Sequence, residues 1–86
     1  MKDGLTEWAD GTKCWYLNGT HHRTDGPAIE RFDGVKQWLV DGEPHRTDGP
    51  AIEWPDGTVE YWYHGKRITK KVFYSRAFQV KIVMEG

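Results

Sequence analysis

Two short sequences, His22-Arg23-Thr24-Asp25 and His45-Arg46-Thr47-Asp48, are the first place where residue types and spacing suggest chemistry. Imidazole and carboxylate groups bind divalent metals and pass protons, and a fold that set the two copies side by side would bring histidine near histidine and aspartate near aspartate. A structural use is the stronger expectation. An Asp before Gly26 or Gly49 closes a turn through its own side chain, and Arg23 and Arg46 can pair with carboxylates such as Glu30 and Glu53. A motif that occurs twice also lacks the single asymmetric arrangement that catalysis needs. The second set is a carboxylate series, Glu7, Glu30 and Glu53, with Glu60 placed opposite Glu53 by counting outward from Asp56-Gly57. Like charges directly across a strand pair are destabilising. The series therefore calls for offsetting cations: Arg23 and Arg46 first, then a basic partner or a metal ion. Cys14 is the single cysteine and has no partner pattern, and the chain carries no glycine-rich phosphate loop. No catalytic residue, metal or cofactor is expected, and the protein is not expected to be an enzyme.

The elements that position these residues follow from a repeat. The nine residues His22–Glu30 recur as His45–Glu53, a shift of 23. The same shift superposes Asp10-Gly11, Asp33-Gly34 and Asp56-Gly57; Trp15, Trp38 and Tyr61; and Gly19, Gly42 and Gly65. Two full units, 15–37 and 38–60, are flanked by partial units 1–14 and 61–67. Glycines at 4, 11, 19, 26, 34, 42, 49, 57 and 65 follow one another at seven or eight residues, so turns recur at strand length. Asp33-Gly34 and Asp56-Gly57, flanked by short β-prone runs, predict two-residue type I′ hairpins. Asn18-Gly19, Asp41-Gly42 and His64-Gly65 predict the next turn, and Thr-Asp-Gly-Pro a third. Two-residue loops pair Ile29 with Trp38, Glu30 with Gln37, Ile52 with Tyr61 and Glu53 with Glu60.

With 86 residues the chain has room for one small core. Aromatic residues make up 14% of it and apolar residues only 37%, which argues against both disorder and a helical bundle. A single cysteine excludes a disulfide framework and fits a reducing, intracellular setting. The absence of a long apolar run and of signal-peptide regions at Met1-Lys2 predicts a cytoplasmic protein with no membrane span. The net charge of −1 hides an asymmetry. Residues 1–65 carry six Lys/Arg against twelve Asp/Glu, a net −6, and residues 66–86 carry six against one, a net +5.

With this period, Trp15-Tyr16-Leu17-Asn18-Gly19 followed by His22-Arg23-Thr24-Asp25-Gly26-Pro27-Ala28, and the copies from Trp38 to Gly42 and His45 to Ala51, the chain resembles the MORN-repeat proteins. It is most similar to a divergent variant of small bacterial and phage proteins. The resemblance covers roughly Leu5 to Arg67 and implies a scaffold that binds proteins or lipids. Ordinary MORN units place Gly after the His, where this chain has Arg23 and Arg46, so contact residues do not carry over. The expected fold is mainly β: a single-layer antiparallel β-meander of 23-residue units over residues 1–65, with residues 68–86 as a basic C-terminal cap. Thr69 can N-cap a helix on which Phe73, Ala77, Val80 and Met84 share a face, and alternating Phe78, Val80, Ile82 and Met84 keep a strand as the rival. A helix is preferred because it would cover the last sheet edge.

Trp8, Trp15, Trp38, Trp54, Tyr61, Trp62 and Tyr63 are more aromatic surface than one sheet layer buries, and most are expected to stack along the ladder. Trp54, Trp62 and Tyr63, beside the tail, are the expected partner contacts, together with Glu30, Glu53, Glu60, Lys70, Lys71 and Arg76. The expected function is a non-catalytic protein–protein interaction module. By analogy with the phage-like variant, it would be a mobile-element inhibitor of a host defence complex such as a CRISPR nuclease, its acidic body occupying a nucleic-acid-binding groove on the target. The alternative is a nucleic-acid or nucleotide-binding protein that uses the basic tail and an aromatic His-Arg groove. Direct nucleic-acid binding is disfavoured by the acidic body. Exposed sheet edges add a homodimer to the expected assemblies.

Overall fold

The computed structural model describes residues 3–85; Met1-Lys2, where the first partial unit begins and part of the signal-peptide reading falls, and Gly86, which ends the expected cap, lie outside the described residues. The elements in order are β1 (Gly4–Glu7), β2 (Lys13–Leu17), β3 (Thr20–His21), β4 (Ile29–Glu30), β5 (Lys36–Gln37), β6 (Leu39–Val40), β7 (Glu43–Pro44), β8 (Ile52–Glu53), β9 (Val59–Tyr63), β10 (Lys66–Ile68), α1 (Lys70–Phe73) and α2 (Arg76–Glu85). The main sheet runs β1-β2-β4-β5-β8-β9-β10, with β3 on the far half of β2, and β6 and β7 form a separate hairpin. The fold is thus mainly β, an antiparallel meander ended by helix. No helix among the described residues is long and apolar enough to cross a membrane.

Two kinds of turn alternate, and they differ from the expected assignment. At Asn18-Gly19, Asp41-Gly42 and His64-Gly65 both central residues have positive φ, near 50° and then near 80°, the signature of a two-residue type I′ loop. The Asp-Gly pairs behave otherwise. Gly34 has φ 98° but Asp33 does not share a positive φ. The Gly34 N–H donates to the Arg31 carbonyl and the Arg31 N–H to the Val35 carbonyl, so the loop is Phe32-Asp33-Gly34, a type I turn closed by a glycine bulge. The same bonds close Ala9-Asp10-Gly11 between Trp8 and Thr12, and Pro55-Asp56-Gly57 between Trp54 and Thr58.

One extra loop residue moves the register by one and changes which side chains meet. Ile29 faces Gln37 rather than Trp38, and Ile52 faces Glu60 rather than Tyr61. Glu53 faces Val59, which corrects the expected Glu53–Glu60 clash. Across the sheet the pairs Glu7–Lys13, Lys13–Glu30, Glu30–Lys36 and Lys36–Glu53 instead form a row of alternating sign. Opposite charges across strands stabilise where the expected like pair would have repelled.

The units are tied together through their histidines. The His22 Nδ1 accepts the Asp41 N–H at 3.1 Å, and the His45 Nδ1 accepts the His64 N–H at 2.9 Å, so each histidine satisfies a turn donor of the following unit. Ala28, Ala51, Leu39, Val35 and Cys14 are buried along the sheet. Alternation along β9 sends Tyr61 and Tyr63 to one face and Glu60 and Trp62 to the other. On the first face Phe73, 1% exposed, packs against Tyr61 with centroids 4.8 Å apart, and Phe78 packs against Tyr63 at 5.1 Å. Thr69 caps α1 by accepting the Val72 N–H at 3.1 Å, as its position predicts. The helix then breaks at Tyr74-Ser75, and the Ser75 Oγ accepts the Phe78 N–H at 3.2 Å to start α2. That break resets the helical phase. The face turned to the sheet carries Phe78 and Glu85, whose carboxylate accepts the Tyr63 hydroxyl hydrogen bond, while Ala77, Val80 and Met84 of the expected face lie exposed.

Candidate partner-binding site

The histidines, arginines and aspartates of the repeated His-Arg-Thr-Asp motif are consumed by the fold. The Arg23 guanidinium lies 3.9 Å over the Trp15 ring and the Arg46 guanidinium 3.9 Å over Trp38. Arg23 donates to Asp25 at 2.8 Å, to the Pro27 carbonyl at 3.2 Å and to Glu30 at 3.4 Å. Arg46 donates to Asp48 at 2.7 Å, to the Pro50 carbonyl at 2.9 Å and to Glu53 at 3.2 Å. The Arg23 guanidinium bonded to Asp25 holds that carboxyl below the usual carboxylate range. Gly26 and Gly49 make room for these arginines: a Cβ at Gly26 would meet Arg23 Cζ at 2.8 Å, and one at Gly49 would meet Arg46 Cζ at 3.1 Å. Glu30 and Glu53 are therefore offset from within the chain, as their pairing with Arg23 and Arg46 predicts. A groove of about 620 Å³ does run between the two motifs, lined by Arg23, Trp38, His45 and Arg46. Each guanidinium in it already carries two carboxylate partners, so an incoming phosphate would compete with two bound anions. Among the described residues no three His, Cys, Asp or Glu side chains are grouped to hold a metal ion.

A different cluster forms at the third unit. Glu60, Trp54 and Trp62 come together because Trp54 directly follows β8, opening the loop to β9, and the other two lie on one face of β9. The Trp54 indole N–H donates to Glu60 Oε2 at 3.0 Å and that of Trp62 to Glu60 Oε1 at 3.1 Å, with Arg67 Nε 3.8 Å away. One carboxylate thus fixes two indoles. Trp54 keeps 40% of its surface exposed, beside a cavity of about 400 Å³ lined by Trp54, Pro55, Asp56, Thr58 and Glu60. Glu60 also lines a second cavity of about 440 Å³, with Tyr61, Arg67, Thr69 and Lys70 among others.

The remaining expected contacts lie apart from this cluster. Tyr63 is buried under α2 on the opposite face, where its hydrogen bond to the Glu85 carboxylate, followed by burial, raises its pKa above the ordinary tyrosine value. Lys71 and Arg76 are exposed on the helices. The residues that sequence reasoning passed over are at the loop rim. The three Asp-Gly loops are neighbours: the Phe32 N–H donates to the Thr12 hydroxyl at 3.2 Å, and a Cβ on Gly34 would sit 3.2 Å from Pro55. Along that rim Trp8 is 53% and Phe32 65% exposed. The signal for Trp8 was positional, in the alignment of Trp8, Arg31 and Trp54 at one place in the repeat; Phe32, aligned with Ala9 and Pro55, carried none. Comparison of the chain with protein-family models, curated proteins and solved structures finds nothing that matches.

Proposed function

We propose that this protein is a non-catalytic protein-interaction module of the MORN-like kind, which presents Trp54 and Trp62 on an acidic sheet to a protein partner. The observation that carries the reading is the double indole bond to Glu60: it holds two large amphipathic rings in place before binding, so less ordering entropy is lost on association. The acidic body fits a partner with a basic surface. Together with the likeness to small phage proteins, it extends the proposal to a host defence enzyme whose nucleic-acid-binding groove this chain occupies. The full chain and its Trp54→Ala/Trp62→Ala variant, immobilised in host lysate, test this. The wild type is expected to retain a partner that the variant loses and that salt elutes. Equal retention by both chains, each folded by circular dichroism, would refute it.

A further inference from the structure

The three Asp-Gly loops divide the work of their aspartates in the same way, and only the middle one is complete. The Asp33 Oδ1 accepts the Val35 N–H at 3.2 Å, and its Oδ2 holds the Arg31 guanidinium at 3.0 Å. In the outer loops the Asp10 Oδ1 accepts the Thr12 N–H at 2.9 Å and the Asp56 Oδ1 the Thr58 N–H at 2.8 Å. Their Oδ2 atoms have no such partner among the described residues. At the repeat position of Arg31 these loops carry Trp8 and Trp54, each lining a cavity with its aspartate and threonine: Trp8, Asp10 and Thr12 around about 450 Å³, and Trp54, Asp56 and Thr58 around about 400 Å³. Elsewhere the chain twice builds a guanidinium site from an indole face and a carboxylate, with Arg23 on Trp15 and Asp25, and Arg46 on Trp38 and Asp48. Among the described residues the outer loops hold the indole and the carboxylate with no guanidinium bonded to either aspartate: the Thr12 and Thr58 side chains act on Asp10 and Asp56, and the Arg31 charge reaches Asp10 only from a distance.

We propose that Trp8 with Asp10, and Trp54 with Asp56, are paired pockets for two arginine side chains of a basic segment on a protein partner. Arginine fits better than lysine because its planar fork bonds a carboxylate while stacking on an indole. The net −6 of residues 1–65 supplies the matching long-range charge. The outer loops lie four strand spacings apart in the sheet order, or about 19 Å at roughly 4.8 Å each. An extended segment covers that distance in about six residues, an even number that returns both side chains to one face. This inference rests on the interaction-module reading and names the partner's chemistry.

The test uses the full-length protein and synthetic peptides of Gly, Ser and Thr with two arginines six positions apart, one arginine, or two lysines, measured by calorimetry and by the indole N–H resonances of Trp8 and Trp54. The Asp10→Asn and Asp56→Asn variants keep the Oδ1 acceptor of the turn and remove only the charge. The two-arginine peptide is expected to bind at least tenfold more tightly than the one-arginine peptide, to shift both indole resonances, and to lose about tenfold with either variant. Trp8→Leu and Trp54→Leu give the same calorimetric readout, with the remaining indole resonance reporting the other pocket, should an Asn variant fail to fold. Unchanged affinity in the variants, or equal binding of the lysine peptide, would overturn the guanidinium assignment. Concentration-dependent self-association that the Asn variants abolish would assign the pockets to a second copy's tail instead and overturn it too. A captured partner that depends on Trp62 but not on Asp10 or Asp56 would sink this inference alone, while loss of the Trp54/Trp62 dependence would sink the broader reading.

Discussion

Replacing Arg46 with alanine removes four contacts at once: the stack on Trp38, and the bonds to Asp48, to the Pro50 carbonyl and to Glu53. The Arg46 side chain is only 20% exposed, Glu53 37% and Asp48 80%. The stack contributes about 0.5–1 kcal/mol. The solvated Asp48 pair contributes under about 1 kcal/mol, and the half-buried Glu53 and Pro50 bonds about 1–2 kcal/mol together after solvent screening. A total of about 1.5–4 kcal/mol follows, and at about 4–8 °C per kcal/mol for a chain of this size the melting temperature should fall by about 6–30 °C. Exposed Lys36, between Glu30 and Glu53 in the charged row, is the control, and its alanine variant should lose no more than about 1 kcal/mol. Thermal denaturation at pH 7 followed by circular dichroism reads both. Arg46→Lys keeps the charge without the planar fork and should recover less than half the loss. Arg23→Ala should move in the same direction by slightly less, its Pro27 and Glu30 bonds being longer at 3.2 and 3.4 Å. Equal melting temperatures for Arg46→Ala and Lys36→Ala would refute the claim that the arginine offsets the carboxylates and joins the sheet to its turn.

Three further perturbations probe the cap, the loop and the seam between units. Phe73→Ala, at a site 1% exposed among Tyr61, Tyr74 and Phe78, should cost about 3–5 kcal/mol and abolish the near-ultraviolet aromatic signal before the sheet's far-ultraviolet signal. Gly34→Ala meets both a φ of 98° and a Pro55 contact at 3.2 Å, whereas Gly57→Ala meets a φ of 92° in open space; melting should show Gly34→Ala worse, by about 1 kcal/mol for the added crowding. His45 has its pKa lowered by burial first and by neighbouring His64 second, with Glu43 acting weakly the other way. The folded chain therefore holds this proton less well than the unfolded one, so the contribution to stability is complete above about pH 6.5 and drains away as pH falls towards the depressed folded value. A melting temperature flat from about pH 8 to 7 and declining below about 6.5, with a shallower decline in His45→Gln, is expected from a pH series.

The period, the antiparallel meander, the Thr69 cap and the Arg–Glu pairing could be read from residues because each depends only on type and spacing. Register could not be read from Asp-Gly alone, since that pair serves both a two-residue type I′ loop and a three-residue loop with a glycine bulge. Pro55 carried the deciding information: its fixed φ suits the first central position of a type I turn. Its consequence reached the candidate site, because the one-residue shift replaces the Glu53–Glu60 pair with Glu53–Val59 and frees Glu60 to accept two indoles. The tail's apolar face was misplaced for a similarly local reason. A single helical wheel through Phe73, Ala77, Val80 and Met84 ignores the restart at Ser75, after which Phe78 takes the inward position. Tyr63 looked available as an aromatic beside a basic tail, but contact across β9 and α2 depends on the face each strand residue takes, which period alone leaves open.

A repeating ladder makes the same site in every unit, so a surface that recognises one partner has to come from positions where the repeat is broken. Three breaks stand out here. Tyr61 takes the place of Trp15 and Trp38, and Thr69 takes the place of Arg23 and Arg46; the ring is covered by Phe73 and Tyr74 instead of a guanidinium, which converts a stacking surface into a cap. Glu60 replaces Cys14 and Gln37, and this third unit alone has a carboxylate there to hold one indole from the loop and one from β9. Arg31 replaces Trp8 and Trp54, so the middle loop's aspartate bonds its own arginine, while among the described residues no guanidinium bonds the aspartates of the outer loops. The first substitution ends the sheet, and the other two leave aromatic and acidic groups facing outward at its loop rim and last full unit. The repeated His-Arg-Thr-Asp motif builds the ladder, and the departures from the period form the surface on which the proposed partner binding rests.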